Sequence, residues 1–201
     1  TLEKAVREED PKEKEKLLNI VIAGGGPTGV EVAGMLAEMG HYIGRKEYPE
    51  ITALRGYIHL IDASPELLGP MSATAQKEAF HVLNKLGVQI KLGVAVKDYA
   101  DGVVLLGNGE SIPSKVLIWT SGVTGRLLPG LPEEVVGRGR RVLVDEYNAV
   151  KGIPDIFAIG DISFQTTDPH YPNGHPQLAQ VAIQQGKLLA DNLKKLSSIS
   201  R

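Results

Sequence analysis

The chain has 201 residues, 42% of them hydrophobic and 23% charged, with a formal net charge of −2 and no cysteine. These values are ordinary for a globular domain. They exclude disulfides and thiolate metal sites within the chain, and they give no electrostatic case for nucleic acid as a partner. No apolar run approaches the ~18–20 residues of a membrane-spanning helix, and no signal peptide is expected in these residues.

Residues 1–16 are dense in charge of mixed sign and divided by Pro11. This predicts a short solvated helix and a linker rather than a functional charge patch. The stretch from Leu17 to Glu31 then reads as strand, glycine turn and helix. Ile20-Val21-Ile22-Ala23 is β-branched and apolar, as a fully buried parallel strand should be. Gly24, Gly26 and Gly29 give the spacing G-x-G-x-x-G. Such a turn lets the chain reverse, lets the backbone approach a pyrophosphate and lets the helix lie close to the strand. Free N–H groups at the helix start would hold the anion. The helix is expected over Thr28–Met39, with Val32, Leu36 and Met39 toward one side.

Residues 40–56 read as an irregular insertion, with Gly40, Gly44, Pro49 and Gly56. A second strand, Tyr57–Asp62, follows. A helix is expected from Ser72 to Leu86, capped by Ser72 and stopped by Gly87, with Phe80, Leu83 and Leu86 facing the sheet. Val88–Leu92 is a third strand. Val94–Tyr99, Val103–Leu106 and Ser111–Pro113 are short strands joined at Asp101-Gly102 and Asn108-Gly109, both favoured hairpin pairs. This antiparallel meander takes the place of a crossover helix, and Val116–Trp119 returns to the parallel sheet. Residues 123–139 read as loop and mark a boundary. Beyond them come a strand near Val142–Val144, an apolar strand Ile156–Ile159 and a tail helix from Pro176 to Leu196. The expected fold class is α/β: a Rossmann-like dinucleotide-binding domain over 17–123, with a parallel sheet and a meander, then part of a second dinucleotide-binding domain over 124–201.

Asp62 ends the second strand, where an acidic side chain accepts hydrogen bonds from the ribose hydroxyls of a dinucleotide. Its offset from the glycines exceeds the usual ~20 residues, which the 40–56 segment accounts for. A carboxylate followed by Ala63 and Ser64, with no arginine close by, favours NADH over NADPH. A simple turn cap is the alternative role for Asp62. Glu31 sits on the first turn of the helix, either as an acid at the positive end of the dipole or facing the nicotinamide. Gly160-Asp161 follows an apolar strand, and Asp161 either caps the next segment or binds a ligand hydroxyl at the carboxyl end of the sheet. On the tail helix, Leu178, Ala182, Gln185, Leu189 and Leu196 fall near one stripe, and Gln180, Gln184, Lys187 and Asp191 on another. Gly186 costs ~1 kcal/mol inside a helix, which a closely approaching neighbour would explain. The five histidines show no metal spacing.

The run Gly24-Gly25-Gly26-Pro27-Thr28-Gly29-Val30-Glu31, then Ile61-Asp62, Ile118–Val123, Ile156–Asp161 and Ala179-Gln180-Val181-Ala182-Ile183-Gln184-Gln185-Gly186, resembles the type II NADH dehydrogenases. These are single-subunit NADH:quinone oxidoreductases of the two-dinucleotide-binding flavoprotein superfamily. The resemblance implies that Gly24, Gly26, Pro27, Thr28 and Gly29 bind the NADH pyrophosphate, Asp62 and Ala63 the ribose, and Gly122 the nicotinamide end. It places Glu31 at the nicotinamide–flavin contact, Gly160 and Asp161 on the FAD ribityl chain, and Gln177, Leu178 and Ala179 along the isoalloxazine. Gln180, Ile183 and Gln184 would border the quinone. It further implies a cytoplasmic protein peripheral to the inner face of the cell membrane, touching that surface through regions outside this chain, with a homodimer as an allowed assembly.

That family opens with an FAD-binding β-α-β unit for which this chain has no counterpart. The chain is therefore expected to be an internal fragment that binds NADH without turnover. Two other readings stay open on the residues alone. One is a different FAD- and NAD(P)H-dependent reductase of the same superfamily, acting on disulfides or ferredoxin. The other is a nucleotide-binding module with no catalysis.

Overall fold

The computed structural model describes residues 2–48 and 57–199. Its contacts divide the chain into two units, one ending at Ser121 and one starting at Gly122. The sequence places this boundary two residues later.

The first unit is built on a parallel sheet of order β3-β2-β1-β7, formed by Ile20–Ala23 (β1), Ile58–Asp62 (β2), Gln89–Leu92 (β3) and Val116–Trp119 (β7). β1 lies in the interior and is buried on both faces. Val21 joins a core with Ile61, Val104, Leu106 and Ile112, whereas Ile22 joins one with Leu60, Ala33 and Leu83. That two-sided burial is why its sequence is a continuous apolar run and not an alternation. The meander of Val96–Ala100 (β4), Val103–Leu106 (β5) and Ser111–Pro113 (β6) covers the Val21 face. Helices Pro27–Glu47 (α3) and Ala73–Leu86 (α4) contribute to the Ile22 face. The Ser72 hydroxyl accepts the N–H of Ala75, and Gly87 ends α4 in the left-handed conformation, as the sequence predicts.

Several expectations need correction. The linker before β1 is helical. Leu2–Arg7 (α1) is followed by Pro11–Leu18 (α2), with Asp10 capping Lys12 N and Pro11 at the first helical position. Ala5, Leu17 and Leu18 are buried together. Glu13 bonds Lys16 and Lys115, at 2.6 and 2.7 Å, and these two ammonium groups pull its carboxyl down to about 2. The expected irregular stretch 40–56 starts as helix, since α3 continues through Gly40 and Gly44 to Glu47. Its Pro49 and Gly56 lie outside the described residues.

Met39 is 47% exposed, and the residues of α3 buried against the sheet are Gly29, Ala33, Ala37 and Gly40. A helix brought close to the strand at Gly29 leaves room for small side chains only, so the larger Val32 and Leu36 pack at its flanks. On α4, Leu83 and Leu86 reach the core while Phe80 is 43% exposed.

In the second unit, Val142–Val144 (β8) pairs in parallel with Ser163–Gln165 (β9), a strand that the sequence analysis does not predict. The expected strand Ile156–Ile159 is absent. Val150 N donates to Ile156 O and Ala158 N to Asn148 O, giving one isolated bridge between Ala149 and Phe157. Among the described residues no neighbouring strand completes a ladder there, and an apolar run without partners stays short of a strand. Val135, Val142, Val144 and Val150 form the core of this unit. The loop 123–139 contains two short 3₁₀ turns, and the tail helix (α5) runs Ala179–Ile199.

Candidate functional site

The turn after β1 is shaped by close approaches to its glycines. Gly24 has φ +121°, and a Cβ there would meet Thr120 Oγ1 at 2.7 Å. A Cβ on Gly29 would land on the Gly24 carbonyl oxygen, far inside contact distance. At Gly26 it would meet nothing within 4 Å. The first and third fingerprint glycines are therefore required by the fold, and the second borders open space. Thr28 and Gly29 lie in the first turn of α3, where N–H groups have no acceptor inside the helix. Val30 N already donates to Gly26 O at 3.0 Å.

Asp62 turns its carboxylate onto this loop. Oδ2 accepts a short hydrogen bond from Gly25 N, and Oδ1 accepts one from Ser64 N at 2.6 Å. Leu68 N donates to Gly25 O at 2.8 Å. The end of β2 and the segment after it thus take both polar groups of Gly25, and a Cβ on Gly25 would strike Leu67 Cδ2 and Asp62. The sequence analysis gives no role to Gly25, Leu67 or Thr120. Three consecutive glycines signalled the first; nothing local signalled the others. Thr120 Oγ1 lies within hydrogen-bonding distance of the carbonyls of Ala23 and Gly24, at 3.0 and 3.2 Å, and so fastens the end of β7 to the turn. Gly24, Gly26, Pro27, Thr28, Gly29 and Asp62 are brought together; Ala63 is exposed just beyond, and Glu31 is exposed on α3.

In the second unit, Gly122 has φ +74° and open space around its α-carbon. Gly160 has φ +70°, and its N–H donates to Gln185 Oε1 at 2.7 Å. Asp161 is exposed, and its carbonyl accepts from Gln177 Nε2 at 3.2 Å. A Cβ on Gly160 would lie 3.4 Å from Ala182 Cβ. Gly160, Asp161, Gln177, Leu178 and Ala179 are thereby fastened into one cluster at the start of α5. Gln180, Ile183 and Gln184 share an exposed face of that helix. Gln185, on the predicted apolar stripe, is buried and acts as the acceptor that holds the Gly160 turn. A polar residue within an apolar stripe was the signal for it. A Cβ on Gly186 would meet only Ile159 Cδ1, at 3.8 Å, so the close approach expected there is not present.

Gln184 and Gln185 also line a cavity of about 430 Å³ with Asn148, Gln165, Asp168 and His175. Asp168 Oδ2 lies 3.1 Å from His175 Nε2. That bond, with the N–H of His170, holds the Asp168 carboxyl below the usual range. Arg141, buried over the Phe164 ring and donating to His175 O, has its pKa lowered by burial.

A family model described as pyridine nucleotide-disulphide oxidoreductase matches residues 2–186. The chain belongs to this family. Within the pyridine nucleotide-disulphide oxidoreductases it is 34% identical over 200 residues to the type II NADH:quinone oxidoreductase Ndh of Mycobacterium tuberculosis, covering 96% of this chain and 42% of that protein. It is 33% identical to an internal alternative NAD(P)H-ubiquinone oxidoreductase A1 of Solanum tuberosum, covering 92% of this chain and 36% of the relative. The chain therefore spans about two fifths of the length of these curated relatives. Among solved structures, NDH2 of Plasmodium falciparum in complex with NADH aligns with a TM-score of 0.69 at 24% identity. That alignment covers 82% of this chain and 36% of the other, and it supports the α/β fold. No helix among the described residues is long and apolar enough to cross a membrane.

Proposed function

We propose that this chain supplies the NADH-binding part, and part of the FAD-binding surface, of a flavin-dependent NADH:quinone oxidoreductase. The observation that carries the reading is the Asp62 carboxylate fixed over a glycine turn that is open at Gly26. The amides around Gly24, Gly26, Pro27, Thr28 and Gly29 would hold the pyrophosphate of NADH, with the N-terminal dipole of α3 favouring its charge. Asp62 keeps lone pairs beyond its two backbone bonds, and these would accept the ribose hydroxyls beside Ala63. The same carboxylate would repel a 2′-phosphate.

The second unit fits a flavin on its own residues. Asp161 offers an exposed carboxylate for a ribityl hydroxyl, on a turn whose backbone is held by Gln177 and Gln185. FAD, when bound, supplies the two-electron relay between NADH and quinone. In this reading Gly122 and Glu31 face the nicotinamide, and Gln177, Leu178 and Ala179 position the flavin ring. Gln180, Ile183 and Gln184 border the quinone. The net reaction transfers two electrons and one proton from NADH, with a second proton from solvent, to give NAD⁺ and quinol. Attachment to the inner face of the cell membrane and a homodimer belong to the same proposal.

The test is calorimetric titration of the 201-residue chain with NADH and with NADPH. Saturable NADH binding, with NADPH weaker by at least tenfold and Asp62→Ala erasing the preference, is expected. An absence of saturable NADH binding at millimolar concentration would sink the reading.

A further inference from the structure

We infer that Trp119 is the platform on which the nicotinamide end of the dinucleotide stacks; this rests on the dinucleotide reading above and extends it to the second half of the ligand. In the sheet order β3-β2-β1-β7, the chain runs outward from β1 through β2 to β3 and then returns to the opposite side of β1 as β7. That reversal is a topological switch point, and ligands of open α/β sheets lie across the crevice beside it. A pyrophosphate centred on the turn after β1, with one ribose on Asp62 at the end of β2, sends its other nucleoside toward β7. The last residue of β7 is Trp119, paired in register with Ala23, the residue before Gly24. Neighbouring strands are separated by about 4.8 Å, so the indole begins one strand away from the glycine turn.

The local structure holds this side chain in an unusual state. It is 60% exposed, although tryptophan is on average highly buried. Its ring is nonetheless fixed, because Nε1 donates to Ser121 O at 2.7 Å. The neighbouring Thr120 N donates to Ala23 O at 2.8 Å, and its hydroxyl reaches the same carbonyl. With the indole N–H already used, what the residue offers a ligand is its π-face. A planar aromatic ring suits that face, and a pyridinium cation suits it best, since cation–π attraction adds to stacking. The oxidised nicotinamide ring is such a cation. Trp119 is thus a ligand-positioning residue for the nicotinamide half and leaves the adenosine half untouched.

Trp119 is the only tryptophan of the chain, so its fluorescence reports this position alone. The experiment titrates the chain with NAD⁺, whose ring does not absorb indole emission, and with ADP-ribose, which lacks the nicotinamide. NAD⁺ is expected to quench the fluorescence saturably and ADP-ribose to bind without quenching. Trp119→Ala is expected to weaken NAD⁺ binding roughly three- to tenfold, the range for an aromatic or cation–π contact, and to leave ADP-ribose affinity unchanged. Trp119→Phe should recover most of the loss. Unchanged ADP-ribose affinity also certifies that the variant is folded. Saturable binding of both ligands with no quenching and no effect of Trp119→Ala would overturn the stacking assignment while leaving the dinucleotide site standing. If neither ligand binds, both fall.

Discussion

Ile20-Val21-Ile22-Ala23-Gly24 and Ile156-Phe157-Ala158-Ile159-Gly160 are alike as sequence, each an apolar run closed by a glycine of positive φ. Their structures differ. The first is an interior strand with β2 on one side and β7 on the other, and its turn leaves no space for a Cβ at Gly24 or Gly29. The second forms one isolated bridge, leaves Ile156, Phe157 and Ile159 exposed, and has its turn held by a side chain from the tail helix. An apolar run makes a strand available, but a neighbouring strand that pairs along its length is what realises it. The comparison also separates two ways to hold a glycine turn, one by close packing reinforced by Asp62 and Thr120 and one by glutamine side chains.

The sharpest break of this contrast is at Gly29. Gly29→Ala should cost about 2–3 kcal/mol or more, in the range of overpacked cores. It should also abolish nucleotide binding, because a Cβ on the Gly24 carbonyl oxygen forces α3 away from β1. Urea unfolding and the NADH titration check both parts; near-wild-type behaviour would show that the turn is not sterically set.

A smaller effect is expected from Gln185→Ala. It removes the acceptor of the Gly160 N–H and a partner of the buried Ser163 hydroxyl, at a cost of about 1–3 kcal/mol for groups left without partners. Hydrogen exchange should show the Gly160 amide opening one to two powers of ten faster, roughly, with β1 unaffected. Equal acceleration in both units would contradict the claim that the amide acts locally. The smallest effect is expected at Gly186. Alanine there meets only Ile159 Cδ1 at 3.8 Å and should stabilise by about 0.5–1 kcal/mol through helix propensity. A marked loss in a thermal melt would mean that this space is needed by something else.

Where the sequence and the structure part company, the cause is the same in each instance. The helix at α2 was hidden because charges of both signs read as a solvated linker, while Leu17 and Leu18 bury against Ala5, a contact no local pattern records. The extension of α3 was hidden by Gly40 and Gly44, each costing ~1 kcal/mol, less than packing along the rest of the helix returns. Met39 has the helical phase for burial, yet the close approach set at Gly29 gives the interior to Ala33 and Ala37.

By itself the sequence determined the α/β class, the interior strand, the glycine turn, the caps of α4 and the meander. Each of these is encoded within a few adjacent residues by periodicity, steric exclusion or turn chemistry. Only tertiary structure decided that Asp62 faces Gly25, that Gln185 reaches back to Gly160, that residues 156–159 stay a bridge and that Trp119 ends exposed beside the turn. The bridge apart, those facts join residues from 25 to 96 positions apart, and a contact across such a span is set by how strands pair and helices dock, which no short window of sequence contains.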